Sequence, residues 1–237
     1  MERPEVTVVL PCRNEEAAIG DCIREIRQFL REENLEGEIL VADNGSTDRS
    51  AGIARGLGAR VIREEKPGYG NALRAGIAAA EGRVILMGDS DTTYDFLELG
   101  KLYVPLSRGE CDIIIGDRFA GGMESGSMPL SHKAGVRLLS ALARKRYHTT
   151  VRDFHCGLRG ITREAARQLS FRAEGMEFAT EMIALAAAKG LRIGQCPVRL
   201  RKCRANRKSK LRTLPDGIRH LRYILGKPGK QEEKENE

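Results

Sequence analysis

The six cysteines of this 237-residue chain form no Cys-x-x-Cys pair and lack the paired spacing of a zinc finger. Nor does the start of the chain, Met1-Glu2-Arg3-Pro4, have the composition of a signal peptide. These two absences predict reduced thiols and a cytoplasmic protein, because disulfides accumulate in oxidising compartments. No apolar run approaches the ~18 residues of a membrane span, so we expect any contact with a bilayer to be peripheral.

Two further absences concern nucleotides and nucleic acids. No Gly-x-Gly-x-x-Gly follows the first predicted strand, which excludes the dinucleotide-binding fingerprint. The segment Arg199–Arg212 holds eight Lys or Arg and no acid, but it has no interleaved aromatic residues and no recognised nucleic-acid-binding motif. A nucleic-acid-binding module is therefore the least supported hypothesis. Such a density of positive charge attracts phosphates, on a lipid headgroup or on a nucleotide.

Length and composition fit one globular domain or a compact two-part unit. Hydrophobic residues make up 41% of the chain and charged residues 31%, which argues against wholesale disorder. The net charge is +7, and the positive charge is concentrated in the basic segment. The charged tail, residues 227–237, is expected to be disordered.

In the first ninety residues, apolar strands alternate with amphipathic helices. This alternation predicts right-handed crossovers and a parallel sheet. The predicted elements are Val6–Leu10, Ala17–Glu32, Ile39–Ala42, Ser50–Leu57, Arg60–Arg63, an Ala-rich helix ending at Gly82, and Val84–Met87. Beyond them we predict helices over Leu97–Leu106, Val136–Arg146, Glu177–Lys189 and Pro215–Leu225, strands over Asp112–Ile115 and Arg192–Leu200, a loop over Gly121–Pro129, and a helix capped by Gly160–Glu164.

Three of these strands run directly into turns that carry carboxylates. The turns are Arg13-Asn14-Glu15-Glu16, Asp43-Asn44-Gly45-Ser46-Thr47-Asp48 and Gly88-Asp89-Ser90-Asp91. The carboxyl ends of parallel strands meet at one edge of the sheet, where ligands bind. Because Asp-x-Asp offers oxygen ligands to a hard divalent cation, a Mg²⁺ or Mn²⁺ ion with a phosphate ligand is the first hypothesis. The alternative is that these residues only form turns and helix caps.

Taken together, the motifs resemble those of family 2 glycosyltransferases of the GT-A fold. The resemblance begins with Leu10-Pro11-Cys12-Arg13-Asn14-Glu15, Val41 to Asp48, and Asp89-Ser90-Asp91. In the second half, the motifs are similar to those of polyprenyl-phosphate sugar transferases, the dolichyl-phosphate mannose or glucose synthases. These motifs are Gly116-Asp117-Arg118, Asp153 with Gly157-Leu158-Arg159, Gly175-Met176-Glu177-Phe178 with Glu181, Pro197-Val198, and Ser209-Lys210-Leu211.

The resemblance implies an α/β GT-A fold, with a Rossmann-like, mostly parallel central sheet flanked by helices. Residues 1–117 would form the half that binds the nucleotide sugar, and residues 118–226 the half that binds the acceptor. Pro11, Arg13 and Glu15 would border the nucleotide, and Val41 and Asp43 would contact its base and ribose. Asp89 and Asp91 would hold the metal ion that bridges the diphosphate. Ser90 and Thr93 complete the donor-side set, with Thr93 standing where the family usually has Gln.

On the acceptor side, the resemblance implies a clamp for a lipid phosphate. Its candidates are Arg118, His132, Arg204 and Lys210. His132 occupies a position where the family commonly has Arg, and Arg207 one where Gly is usual. A phosphate monoester, whose second pKa is near 6, is largely dianionic at pH 7 and can attack without a general base.

The predicted function is an inverting, metal-dependent transfer of a hexose from GDP-mannose or UDP-glucose to polyprenyl phosphate, as in cell envelope biosynthesis. The sequence does not distinguish between these two donors. We expect the basic segment and the helix at 215–225 to contact an anionic membrane on its cytoplasmic face, or a membrane partner protein to bring the chain there. The second hypothesis is a soluble glycosyltransferase acting on a hydroxyl of a small molecule or glycan, for which Asp153 is the candidate base.

Overall fold

A central sheet of seven strands crosses the part of the chain that the computed structural model describes, residues 3–203 and 213–226. The strands are β1 (Val6–Cys12), β2 (Gly37–Asp43), β3 (Arg60–Arg63), β4 (Val84–Met87), β5 (Ile113–Asp117), β6 (Arg159–Thr162) and β7 (Ile193–Pro197). Their order across the sheet is β3-β2-β1-β4-β6-β5-β7. The helices are α1 (Ile19–Glu32), α2 (Ser50–Gly56), α3 (Tyr69–Ala79), α4 (Gly100–Ser107), α5 (Arg118–Gly121), α6 (Leu130–Tyr147), α7 (Arg163–Arg167), α8 (Phe178–Ala188) and α9 (Thr213–Leu225), with a 3₁₀ turn at Phe96–Leu99.

The parallel half of the sheet is built around β1, which pairs with β2 on one side and β4 on the other. Residues 6–10 of β1 have no exposed surface, as expected for a strand whose two faces are both covered. Cys12 lies opposite Asp43, and Val9 lies opposite Met87. The predicted parallel unit is therefore confirmed, and its turns emerge at one edge of the sheet.

Strand β6 is an element that the sequence pattern does not reveal. Thr162 caps α7 as predicted, because its hydroxyl accepts a hydrogen bond from the N–H of Ala165. However, residues 159–162 also form an antiparallel strand between β4 and β5. The strand has only four residues and includes Arg159 and Gly160, so it shows no apolar alternation. Since Arg159 lies opposite the last residue of β4, the loop that leads into β6 lies at the edge where β4 ends.

Two helices of the second half differ from what the sequence predicts: α6 in its length and α9 in its packing. Helix α6 begins at Leu130, directly after the predicted loop, and not at Val136. Helix α9 packs against α6 and α8 and buries His220 and Ile224, whereas Ile218 and Leu225 of the same helix are exposed. Within the described residues, no helix has the length and apolarity to cross a bilayer.

Candidate active site

The turns after β1 and β2 are bound to each other by hydrogen bonds. The N–H of Asn14 donates to Ser46 Oγ at 3.0 Å, and the N–H of Glu15 donates to Ser50 Oγ at 2.7 Å. In the other direction, Thr47 N–H donates to Asn14 Oδ1 at 2.7 Å. Asn14 adopts the left-handed conformation, with a φ of 53°, that this exchange requires. The two turns therefore behave as one unit.

The predicted nucleotide-binding residues lie on and beneath this unit. Arg13 is exposed and Pro11 is partly buried, whereas Glu15 and Asp43 are buried. Asp43 Oδ1 accepts a hydrogen bond from Ser46 N–H at 3.2 Å. Val41 has no exposed surface and packs in the hydrophobic core behind Asp43. The structure thus brings this set to one edge of the sheet, and its contacts with a donor stay predictions.

The Asp89-Ser90-Asp91 turn is tied to the same unit and stiffened from within. Ser90 Oγ donates to the carbonyl of Pro11 at 2.8 Å, which fastens the end of β4 to the end of β1. Asp91 Oδ1 accepts from both the N–H and the hydroxyl of Thr93. Thr92, between them, has a φ of 64°. Thr93 thus orients Asp91.

Asp89 is held by contacts from two distant parts of the chain. The hydroxyl of Tyr69, at the start of α3, donates to Asp89 Oδ1 at 2.9 Å. On the other side, Gly157 lies so close that a Cβ there would be 2.4 Å from Asp89 Oδ2. Burial, reinforced by the negative charge of Asp91, raises the pKa of Asp89 to about 6. A cation between these two carboxylates would remove this repulsion.

The carboxylate pair fits a divalent metal ion that takes part of its ligands from a substrate. Among residues 3–203 and 213–226, no group of three or more His, Cys, Asp or Glu side chains could hold a metal ion without help. Asp89 and Asp91 offer carboxylate oxygens, the ligand type that Mg²⁺ and Mn²⁺ prefer. Magnesium sites in proteins commonly combine one or two carboxylates with phosphate oxygens of the substrate.

Arg118 and Asp153 form a buried ion pair beside the Asp89-Ser90-Asp91 turn. Arg118 Nε donates to Asp153 Oδ2 at 2.6 Å, and Nη2 donates to Oδ1 at 2.8 Å. The side chain of Asp153 has no exposed surface, and that of Arg118 is 8% exposed. Asp153 also accepts the N–H groups of Arg118 and His155. Both oxygens of Asp153 are therefore committed to structural hydrogen bonds.

Arg159 is a residue to which the sequence analysis assigned no role. It is 1% exposed, and its guanidinium donates to the carbonyls of Phe154, Cys156 and Ala179 at 2.6–2.7 Å. Two of these carbonyls belong to residues 153–158, the segment that we call the 153–158 loop. The buried guanidinium therefore sets the shape of the loop. The Gly157-Leu158-Arg159 motif marks this position in the sequence but gives no signal of this function, because the partners of Arg159 are backbone carbonyls.

Tyr94 completes the support of the 153–158 loop. Its buried hydroxyl accepts the N–H of Gly157 at 2.8 Å. Gly157 is thus fixed between Tyr94 and the carboxylate of Asp89, a position with no room for a side chain. The loop that carries Asp153 at one end contacts the Asp-x-Asp turn at the other.

The remaining predicted clamp residues are only partly described. His132 lies in the first turn of α6, whereas Arg204, Arg207 and Lys210 lie outside the described residues. At the start of the basic segment, Arg201 pairs with Glu25 and Asp95, so its charge is balanced within the fold.

The same stretch is joined to the Asp-x-Asp turn. Arg201 N–H donates to the carbonyl of Thr93 at 2.7 Å. Cys203 Sγ donates to the carbonyl of Asp91 at 3.2 Å. Residues 201–203 thus pack directly on this turn.

A mostly parallel sheet with an Asp-x-Asp turn at its carboxyl edge is the arrangement expected of a GT-A-fold glycosyltransferase. The sequence profile of "Glycosyl transferase family 2" matches residues 7–170. The chain belongs to this family, and the family predicted from its motifs is confirmed.

Two curated relatives come from the archaeon Haloferax volcanii. The low-salt glycan biosynthesis hexosyltransferase Agl6 is 40% identical over 94% of this chain and 53% of its own length. A dolichyl-phosphate hexose transferase is 33% identical over 84% of this chain and 83% of its own length. The chain therefore spans about half the length of Agl6.

The fold is also that of solved structures. Glucosyl-3-phosphoglycerate synthase from Mycobacterium tuberculosis, in complex with phosphoglyceric acid, superposes with a TM-score of 0.72 at 26% identity, covering 95% of this chain and 81% of that one. The same enzyme with Mg²⁺ and UDP superposes with a TM-score of 0.73 at 25% identity, covering 95% and 80%. The predicted GT-A architecture is confirmed.

Proposed function

We propose that this protein transfers a hexose from a nucleoside diphosphate sugar to a polyprenyl phosphate, with inversion at the anomeric carbon. Residues 1–117 would bind the donor, and residues 118–226 the acceptor. The named activities of the two Haloferax relatives support a hexose and a dolichyl-phosphate acceptor. The M. tuberculosis structures with Mn²⁺ and UDP-glucose support a metal ion and a nucleotide sugar.

On the donor side, the joined turns after β1 and β2 would hold the nucleoside. Asp43, buried at the end of β2, would bind the ribose, and Arg13 is exposed beside it. Asp89 and Asp91 would hold a Mg²⁺ or Mn²⁺ ion, which neutralises the leaving diphosphate when bound. Hydrogen bonds from Tyr69 and Thr93 fix the two carboxylates that would hold it.

On the acceptor side, the proposal depends on one observation: both carboxylate oxygens of Asp153 are already occupied by hydrogen bonds. Attack by a hydroxyl needs a base to remove its proton, and both oxygens of Asp153 already accept hydrogen bonds from Arg118. A phosphate dianion needs no such base. One of its oxygens forms a bond to the anomeric carbon while the bond from that carbon to the diphosphate breaks, and no proton has to move.

Exposed apolar side chains support contact with a membrane surface. Leu130 and Leu138 of α6 are 83% and 63% exposed, and Leu225 of α9 is 69% exposed. Helix α6 contains no acid and has Lys133 and Arg137 among its cations. Apolar and basic side chains on neighbouring helices suit an anionic bilayer, where a polyprenyl phosphate is presented.

The test is an incubation of the purified protein with Mn²⁺ and each of UDP-glucose and GDP-mannose, followed by mass spectrometry. One arm contains farnesyl phosphate, a short polyprenyl phosphate, and another contains 3-phosphoglycerate. We expect a sugar phosphodiester of farnesol, formed only with metal and abolished in Asp91→Asn. Because the M. tuberculosis neighbour binds phosphoglyceric acid, glycosylation of 3-phosphoglycerate alone would replace the lipid acceptor by a soluble one.

A further inference from the structure

His155 lies in the middle of the 153–158 loop, at the same edge of the sheet as the carboxylate pair. Two residues before it, Asp153 holds Arg118, and two residues after it, Gly157 touches the carboxylate of Asp89. The antiparallel β6 brings the loop to the point where β4 ends. His155 thus lies between the two predicted halves of the active site.

The ring of His155 has no hydrogen-bond partner among the described residues. Both Nδ1 and Nε2 are shielded from solvent and make no hydrogen bond. Its ring packs edge-on against that of His220, with 4.3 Å between the centroids and 80° between the planes. His220 itself lies 2.9 Å from Thr180 Oγ1 through its Nδ1. A buried polar group without a partner is rare and needs an explanation.

Four side chains that can carry positive charge interact electrostatically with His155. They come from four different elements: Arg118 on α5, His132 on α6, Arg159 on β6 and His220 on α9. Two carboxylates oppose these groups: Asp153, which is engaged by Arg118 and by the backbone of His155 itself, and Asp89, which interacts with both arginines. Within the described part of the chain, Arg159 donates to three backbone carbonyls. Two guanidinium groups therefore face a ring that makes no hydrogen bond.

Burial and these positive neighbours hold the pKa of His155 well below its usual value. The ring is thus neutral at pH 7 while the site contains no anion. A phosphate dianion placed among the same groups would favour the imidazolium form, and the ring would then take up a proton on binding.

We propose that His155 binds the phosphate group of the acceptor, donating a ring N–H to one of its oxygens beside Arg118 and His132. This inference rests on the proposed function, because it requires an acceptor that carries a phosphate monoester. Lipid-linked and soluble phosphate esters share this chemistry, so both are included in the test. Such an anion explains the unsatisfied ring nitrogens, and the guanidinium groups of Arg118 and Arg159 would also attract it.

Two variants at position 155 and one control test the proposal. His155→Leu removes both nitrogens, and His155→Gln keeps one N–H donor without the cation. The control is His148→Asn, at an exposed histidine in the left-handed conformation, with a φ of 53°, that Asn tolerates. Thermal melts establish that each variant is folded before kinetics are measured with farnesyl phosphate and with 3-phosphoglycerate.

We expect KM for the phosphate acceptor to rise about 10- to 100-fold in His155→Leu, as for the loss of one hydrogen bond to a charged group. The increase should be smaller in His155→Gln and absent in the control, and UDP binding should be unchanged in all three. Calorimetry of farnesyl phosphate binding in buffers of different ionisation enthalpy should show proton uptake by the wild type that His155→Gln has lost.

The outcomes separate the two proposals. If the wild type uses farnesyl phosphate and folded His155→Leu uses it with the same KM, the assignment of His155 is wrong and the proposed function stands. Equal losses in acceptor and UDP binding would also overturn the assignment, since they indicate a general distortion of the site. If the wild type neither binds nor uses either phosphate ester, the proposed function and this inference both fail.

Discussion

The donor-side turns and the 153–158 loop lie at the same edge of the sheet, but they are stabilised in different ways. The turns after β1, β2 and β4 are joined to one another by short polar bonds, such as that from Ser90 to Pro11. The 153–158 loop is instead organised by two buried arginines, Arg118 and Arg159. The first region uses neutral hydrogen bonds and an exposed ion pair, Arg49–Glu16, between turns, whereas the second uses desolvated charge.

This difference has energetic consequences. Removing one neutral hydrogen bond costs about 1 kcal/mol, whereas removing one partner of a buried ion pair costs about 3–5 kcal/mol. The donor-side turns should therefore tolerate single changes outside the carboxylates themselves. The 153–158 loop should respond to single changes with a loss of stability as well as activity.

The largest expected effect is on the donor side and tests whether the carboxylate pair is its functional centre. Asp91→Asn should reduce turnover roughly a thousandfold, or about 4 kcal/mol of transition-state stabilisation, because a ligand of the metal ion is lost. The unfolding temperature without metal should stay level or rise, since one of two repelling carboxylates is removed.

Steady-state kinetics and thermal melts measure both effects. The matched control is Asp21→Asn, an exposed carboxylate of α1 that pairs with Arg24. Near-normal turnover of Asp91→Asn would contradict the metal assignment.

The next effect tests whether the two regions depend on each other. In Gly157→Ala, the new Cβ would lie 2.4 Å from Asp89 Oδ2, so either the loop or the carboxylate must move. A displacement of about 1 Å can lower catalysis roughly a hundredfold. Mn²⁺ affinity, measured by calorimetry, should fall together with turnover.

The control for this substitution is Gly52→Ala, in α2, where a Cβ meets nothing within 4 Å. Full activity in Gly157→Ala would show that the loop and the Asp-x-Asp turn adjust independently.

A third prediction compares two bidentate Arg–Asp pairs. Asp153→Asn leaves Arg118 buried without its counter-ion and should lower the free energy of unfolding by about 3–5 kcal/mol. Asp112→Asn breaks the same kind of pair with Arg192, whose side chain is 58% exposed, and should cost less than about 1 kcal/mol. Chemical denaturation measures both, and equal losses would mean that burial does not distinguish the two pairs.

The smallest effect concerns pH. The pKa of Asp89 in the folded protein, about 6, lies above its ordinary value, so the folded state binds this proton more tightly than the unfolded state. Its contribution to stability is present below pH ~4 and is lost as pH rises through 6. Without metal, Asp89→Asn should thus be as stable as the wild type at pH 4 and more stable, by about 2 kcal/mol, at pH 7.

Denaturation curves with a chelator, recorded at both pH values, measure this difference. The same gap between wild type and Asp89→Asn at pH 4 and pH 7 would exclude a raised pKa.

The two regions also differ in how far they could be predicted from sequence. The donor side follows from local patterns, since each apolar strand is followed directly by its turn, and the Asp89-x-Asp91 spacing is visible in three consecutive residues. The 153–158 loop depends on partners that are far apart in sequence. Arg118 and Asp153 are separated by 35 positions, and Gly157 and Tyr94 by 63.

No periodicity connects such residues, and β6, which brings them together, is too short and too polar to predict. Resemblance to a family supplied Arg118 and Asp153 as candidates, but not that they bind each other. The functions of Tyr69 and Arg159 follow only from which atoms they reach in the folded chain.

Residues 201–203 join the start of the basic segment to the Asp-x-Asp turn. Arg201 and Cys203 donate to the carbonyls of Thr93 and Asp91. A displacement of residues 201–203 would therefore be transmitted, over two hydrogen bonds, to the backbone that carries Asp91. A substitution at either residue would thus alter the geometry of the turn without changing any residue of the turn itself.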